Sequence, residues 1–158
     1  WHALAGPQKG KGVLGTSSKI SGANLYSRLN YWIVKCGGAA LSAPPTLVGV
    51  EAPCEADLSL TADSFTFQLP DPPAETADLK LVIMASAPQS KGVTKAYSKA
   101  VMIGSPRTIV EEAINIKADY EAVHGAVTTA APKVFLRYFF VNTKTGEKSG
   151  EMLGQISL

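Results

Sequence analysis

The chain has 158 residues, of which 46% are hydrophobic and 18% charged, and its formal net charge is +2. This length suits one ordinary domain with a modest extension, and it can bury a core without disulfide or metal staples. The small net charge, with Lys and Arg dispersed along the chain, argues against a nucleic-acid surface. No apolar run reaches the roughly 20 residues that a transmembrane helix requires, so we expect no transmembrane segment.

The first 20 residues are rich in Gly, Lys and Ser and lack sustained periodicity, which predicts an irregular or extended arm that needs a surface to lie on. Residues 10–15 match the Gly-x-Gly-x-x-Gly pattern of dinucleotide loops, but no apolar strand precedes them and no β-α-β pattern follows, so we reject that interpretation. Because the chain begins at Trp1 rather than Met, we expect a processed product or the remainder of a longer chain, with any targeting segment upstream.

Residues 21–36 form the one strong helix pattern. Ser21 is a suitable N-cap and Gly37 a suitable C′ residue. Apolar residues recur at three- and four-residue spacing along one stripe, and two tyrosines widen it. The stripe consists of Leu25, Leu29, Trp32, Ile33 and Cys36, and the tyrosines are Tyr26 and Tyr31. Two interpretations remain open: the helix packs on this chain's own sheets, or its second face meets another subunit.

The two cysteines are Cys36 and Cys54. They could close a disulfide between the end of the helix and the first strand. The alternative is that both are small buried hydrophobic residues, as free cysteines often are.

Pro44-Pro45 predicts an extended linker that separates an N-terminal part, residues 1–45, from a β domain, residues 46–158. Short apolar segments then alternate with turn residues, which predicts a mainly β fold, a seven-stranded antiparallel sandwich. The predicted strands are residues 46–50, 58–69 with a break at Ala62-Asp63, 79–86, 97–103, 114–118, 134–141 and 152–157. A short helix is predicted at residues 119–125, crossing between the sheets.

The strongest β signal is the last third of the chain, where an aromatic and β-branched run, a Gly-containing turn and a second alternating segment predict a closing hairpin. Its first strand is apolar on both faces. One face carries Phe135, Phe139 and Val141. A sheet in a sandwich usually leaves one face to solvent, so this surplus surface predicts a cover, either the chain's own helix or a neighbouring subunit.

No catalytic constellation is visible. His2 and His124 and the two cysteines lack zinc-ligand spacing, and no nucleophile elbow is present. His124 lies near the predicted C-terminus of a short helix, where a cation is favoured, and this explains it without a catalytic role. We therefore expect no enzyme activity, no cofactor and no metal.

The region from residue 46 onward resembles a fibronectin type III-like, immunoglobulin-like sandwich, with Phe65-Thr66-Phe67 as its second strand and the closing hairpin as its last two. The N-terminal Trp1-His2-Ala3-Leu4-Ala5 and the segment from Ser21 to Asn30 resemble a group of uncharacterised bacterial and phage-like proteins. In that group a helical segment precedes such a sandwich. The resemblance covers nearly the whole chain and implies no catalytic residues.

Two classes of function follow. The first is a structural or assembly protein, such as a virion component or the subunit of an extracellular filament, whose partners are copies of itself or other structural subunits. Its candidate interface residues are Trp1, Tyr26, Tyr31, Trp32, Phe135, Phe139 and Val141. The alternative is a carbohydrate- or protein-binding module in which Trp1, Tyr31 and Trp32 stack on sugar rings. Aromatic residues concentrated in regular elements favour the first.

Overall fold

Helix α1, Gly22–Lys35, is the first element of the computed structural model, which describes residues 21–158. The Ser21 side chain accepts a hydrogen bond from the Asn24 N–H at 3.1 Å, so the predicted N-cap is confirmed. At the other end Gly37 has φ +87°, and the N–H groups of Gly37 and Gly38 bond to the carbonyls of Val34 and Ile33. This is a Schellman ending, and it stops the helix where the sequence predicts. The predicted arm, residues 1–20, lies outside the described residues.

The rest of the described chain is mainly β, with two antiparallel sheets and one further α-helix. The strands are β1 (Asp57–Leu60), β2 (Phe65–Gln68), β3 (Leu79–Ala85), β4 (Val101–Met102), β5 (Ile114–Asn115), β6 (Lys133–Asn142) and β7 (Met152–Ser157). A three-stranded sheet has the order β1-β2-β5, and a four-stranded sheet has the order β4-β3-β6-β7. Helix α2, Lys117–His124, carries the chain from the first sheet to the second, as the sequence predicts.

The main core lies between the two sheets. Phe65 and Phe67 of β2 are each 1% exposed, and the Phe67 ring packs edge-on against Tyr138 of β6 at 5.0 Å. The predicted alternation on β2 is therefore confirmed, with Thr66 and Gln68 on the other face. The remaining buried residues of this core are Leu69, Leu81, Ile83, Ala85, Ile103, Ile109, Ile116, Tyr120, Val134, Leu136 and Phe140.

The closing hairpin is confirmed. β6 and β7 pair antiparallel from Lys133 opposite Ser157 to Tyr138 opposite Met152. A tight turn follows β6, in which the Gly146 N–H bonds to the Asn142 carbonyl at 2.8 Å and Gly146 has φ +72°. Glycine adopts this left-handed conformation without the steric cost that a Cβ imposes.

Four predicted strands differ from the structure. The strand predicted at residues 58–69 is two strands, β1 and β2, which separate at the predicted break at Ala62-Asp63. Residues 46–50 form no strand, because the Val48 and Gly49 N–H groups bond to the side chain of Glu147 instead of to a neighbouring strand. In residues 97–103 a 3₁₀ turn, Tyr97–Lys99, precedes the two residues of β4. The segment 114–118 is strand only over β5, since α2 begins at Lys117.

Candidate functional site

The candidate site is built on the outer face of the four-stranded sheet, the face turned away from the three-stranded sheet. Alternate residues of β6 point to it, among them Phe135, Phe139 and Val141, and all three are 0% exposed. Val82 of β3 is also 0% exposed and packs with Phe139 and Val141. The surplus apolar surface that the sequence indicates is therefore covered in this chain.

Helix α1 covers part of this face. Trp32 packs its ring edge-on against Phe139, with centroids 5.1 Å apart and an interplanar angle of 76°. Cys36, one helical turn further along, packs on the same cluster. Edge-to-face pairs of this kind contribute about 0.5–1.5 kcal/mol beyond the area they bury. The helix is thus fastened to the sheet by its C-terminal half.

Two side chains outside α1 also contribute to the cover. The Tyr97 ring meets Phe135 edge-on, with centroids 5.1 Å apart, and the Lys148 Nζ stands over the Phe139 ring at 3.9 Å from its centroid. A cation over an aromatic face is attracted by the ring quadrupole. Phe135 and Phe139 therefore have different covers, the 3₁₀ turn for one and α1 with Lys148 for the other.

These contacts correct the predicted interface. Phe135, Phe139 and Val141 do not face a subunit boundary in the folded chain, because they lie under α1 and the 3₁₀ turn. Of the two covers that the sequence left open, the structure shows the chain's own helix.

The predicted interface residues on α1 are more exposed than those on β6. Tyr31 is 52% exposed and Tyr26 39%, whereas Trp32 is half-buried. Val34, which the sequence analysis did not select, is 56% exposed. Its position three residues after Tyr31 places it on the same side of the helix, and this spacing was the available signal. Trp1 lies outside the described residues.

We call Tyr31 and Val34 the helix patch. The Tyr31 ring stands at 81° to Trp32, with centroids 4.9 Å apart, and the Lys35 Nζ lies 5.8 Å from the centre of the Tyr31 ring. The patch is therefore connected through Trp32 to the sheet below it. Exposed Tyr beside apolar surface is typical of protein interfaces.

The turn after β6 fixes where α1 can lie. A Cβ on Gly146 would stand 2.1 Å from the Leu29 carbonyl oxygen, so the helix backbone touches the turn at this glycine. Next to it the buried Glu147 carboxylate accepts hydrogen bonds from the Val48 and Gly49 N–H groups at 3.0 and 3.1 Å. The turn thus holds both the helix and the linker that follows the helix.

A small ion cluster borders the same face. Glu151 accepts a hydrogen bond from Arg137 at 2.8 Å and is also paired with Lys148. Partial burial would raise the pKa of Glu151, but the hydrogen bonds from Lys148 and Arg137 outweigh it, and the pKa lies below its ordinary value. Lys148 therefore serves both the carboxylate and the Phe139 ring.

Cys36 and Cys54 are free, and the four-stranded sheet separates them. Cys36 packs on the outer-face cluster, while Cys54 packs on the core between the sheets. The disulfide interpretation is therefore wrong for this fold. Burial raises the pKa of the Cys36 thiol, although nearby Lys80 opposes the shift, and a protonated thiol behaves as a small hydrophobic group.

His124 has a structural partner. Its Nε2 lies 2.9 Å from the Ala85 carbonyl oxygen, which can only accept, so this nitrogen donates. Tyr120, one turn earlier on α2, donates to the Ser86 carbonyl, and burial raises the pKa of its hydroxyl. Both side chains fasten α2 to the end of β3. Across residues 21–158 no three His, Cys, Asp or Glu side chains are grouped as metal ligands.

A cleft of about 720 Å³ lies between residues 49–54 and residues 71–75. Its rim carries the exposed carboxylates of Glu51, Asp71 and Glu75, and among residues 21–158 the one aromatic side chain in its wall, Phe140, is 2% exposed. The described part of the cleft wall therefore offers no exposed ring on which a sugar could stack.

No protein-family model, curated protein or solved structure matches this chain. Within residues 21–158 no helix has the length and apolar character needed to cross a membrane.

Proposed function

We propose that the protein is a non-enzymatic structural or assembly protein, a subunit of a virion or of an extracellular filament-like assembly. The observation that carries the proposal is the helix patch. Tyr31 and Val34 remain 52% and 56% exposed on a helix whose opposite side is already buried. Although the Tyr31 ring packs on Trp32, about half of each patch side chain stays exposed, and exposed aromatic and apolar side chains of this kind are suited to a partner.

We also propose that the domain is a seven-stranded, fibronectin type III-like member of the immunoglobulin-like sandwiches. Support comes from the strand order, since β2 neighbours β5 and β3 neighbours β6 although neither pair is consecutive. Crossing connections between two antiparallel sheets are typical of such sandwiches. The resemblance to uncharacterised bacterial and phage-like proteins stays part of this proposal.

The alternative, a carbohydrate-binding module, has less support. A sugar-binding platform needs a flat exposed ring, but Tyr31 and Trp32 stand nearly perpendicular and Trp32 is half-buried. The cleft between residues 49–54 and 71–75 exposes carboxylates rather than rings.

The test is native mass by size exclusion with light scattering over a concentration series. We expect particles that are multiples of the 16.6 kDa chain. Tyr31→Lys with Val34→Lys should shift the distribution toward smaller particles, since Lys keeps helix propensity but places charge in the patch. The matched control is Val123→Lys on α2, a residue that is 47% exposed.

A chain that stays at 16.6 kDa at every concentration and binds a glycan array would overturn the assembly proposal in favour of the binding module. An unchanged particle distribution for the double variant would remove the helix patch as the contact.

A further inference from the structure

We propose that β7 is a self-pairing edge, which joins the β7 strand of a second copy in antiparallel register. The inference rests on the proposed assembly function, and it names the strand through which two subunits meet. It starts from the position of β7, which is the last strand of the four-stranded sheet and pairs only with β6 among the described residues.

The hydrogen-bonding direction of each β7 residue follows from the register. The Leu158 N–H bonds to the Pro132 carbonyl, and in an antiparallel ladder only every second residue bonds to the same neighbour. Met152, Gly154 and Ile156 therefore direct their N–H and C=O groups to β6. The groups of Leu153, Gln155 and Ser157 point to the open side, and no partner for them occurs within residues 21–158.

The β7 edge also lacks the features that normally block strand addition. Protected edges are short, or carry Lys, Pro, an inward charge or a bulge. β4 and β5 are two residues long, and the edge strand β1 begins with Asp57. β7 runs for six residues in regular register, and none of the six is charged or proline.

Because β7 carries no charged side chain, an uncharged strand such as a second β7 fits this edge better than a charged partner would. A two-fold axis beside Gln155 sets Gln155 opposite its own copy and Leu153 opposite Ser157, so no like charges meet. Two glutamine side chains can exchange hydrogen bonds across the axis. Leu153, 49% exposed, gains an apolar neighbour surface.

The pairing merges two four-stranded sheets into one, with three residue pairs that each exchange two backbone hydrogen bonds. A two-fold contact closes on itself and yields only a dimer. Growth beyond the dimer then needs a second surface, and the exposed helix patch on α1 is available for it.

The experiment compares Gln155→Pro with Gln155→Ala. Proline removes an N–H that points away from β6, so the ladder within the sheet keeps its bonds, whereas the alanine variant retains the donor and serves as the matched control. We expect the dimer dissociation constant to rise about tenfold or more for proline and to change little for alanine.

A cysteine trap gives a second measurement that does not rely on a destabilising variant. Opposed residues in a bonded pair have Cα atoms about 5.5 Å apart, which a disulfide can span. Gln155→Cys, made with Cys36→Ala and Cys54→Ala, should form a covalent dimer under mild oxidation. Val123→Cys in the same background should not.

The outcomes separate this inference from the proposed function. If the helix-patch variant disrupts assembly while Gln155→Pro and the trap have no effect, the self-pairing edge is wrong and the assembly function stands. If the trap forms and proline dissociates the dimer while the helix-patch variant changes nothing, the edge stands and the role of the patch is wrong. A monomeric wild type without cross-linking overturns both.

Discussion

β6 and β7 are neighbours in one hairpin, yet they have opposite surroundings. β6 is buried on both faces and paired on both sides, whereas β7 is paired on one side and leaves alternate residues exposed. Both strands have apolar residues facing the core between the sheets, so inward alternation does not distinguish them. The difference comes from α1, which covers Phe139 and Val141 but leaves Leu153 49% exposed.

β6 therefore lies inside the four-stranded sheet, whereas β7 lies at its edge. The side chains that are most hydrophobic by sequence, Phe135 and Phe139, contribute to stability within the chain. The less conspicuous segment, Met152–Ser157, pairs only with β6 among residues 21–158. If the proposed β7 contact is correct, hydrophobic composition alone is a poor guide to the contact surface of this chain.

The largest expected loss of stability comes from truncating a buried side chain of β6, and it tests the contrast between β6 and β7. Phe139→Ala removes a ring that is 0% exposed between Trp32 and Lys148, and we expect it to lower the free energy of unfolding by about 3–5 kcal/mol. Leu153→Ala is the matched change on β7 and should cost less than about 1 kcal/mol. Urea unfolding measures both. Equal losses of unfolding free energy would mean that β6 does not contribute more than β7 to stability.

The second effect concerns the turn that joins the two strands. In Gly146→Ala the Cβ meets the Leu29 carbonyl oxygen at a positive φ, so α1 must shift, and we expect a loss of about 2–4 kcal/mol. Trp32 fluorescence, followed in a Trp1→Phe background, should report the displaced helix.

Gly37→Ala separates backbone strain from the contact with the helix. Gly37 also has positive φ, but its Cβ would have no atom within 4 Å, so only strain of about 1 kcal/mol is expected. If Gly146→Ala and Gly37→Ala lowered the free energy of unfolding equally, the contact between the turn and α1 would not contribute to stability.

The smallest effect is a pH dependence at Glu151, which links the start of β7 to Arg137 on β6. Because the pKa of Glu151 is lowered in the fold, its contribution is present above the unfolded pKa and is lost as the pH falls through the folded pKa. Glu151→Gln should therefore destabilise by less than about 1 kcal/mol at neutral pH, and by nothing in acid.

Unfolding free energies at neutral and acidic pH, for wild type and variant, measure this dependence. Glu112→Gln, at an exposed carboxyl, is the control and should change neither value. A variant that stays destabilised in acid would show that packing rather than charge is lost.

Local signals in the sequence predicted the local structure well. The Ser21 cap, the Gly37 ending, the alternation of Phe65 and Phe67 and the closing hairpin all follow from a few neighbouring residues, and the structure confirms them. α2 was predicted for the same reason, from its apolar spacing and the terminal Gly125.

The errors concern contacts between residues far apart in sequence. Residues 46–50 have a strand-like pattern, but Glu147 takes up two of their N–H groups. Cys36 and Cys54 are near in sequence but lie on opposite faces of a sheet. Whether Phe139 meets a helix or a subunit depends on where α1 docks, and no pattern within β6 records this.

The bond between Val48 and Glu147 joins residues 99 positions apart, and α1 rests on the same turn. At synthesis rates of about 5–20 residues per second, the helix leaves the ribosome roughly 5–20 s before the strand that will receive it. During that interval its apolar stripe has no sheet to cover. Completion of this domain is therefore expected to come late in translation, with the newborn helix as the segment most in need of a chaperone.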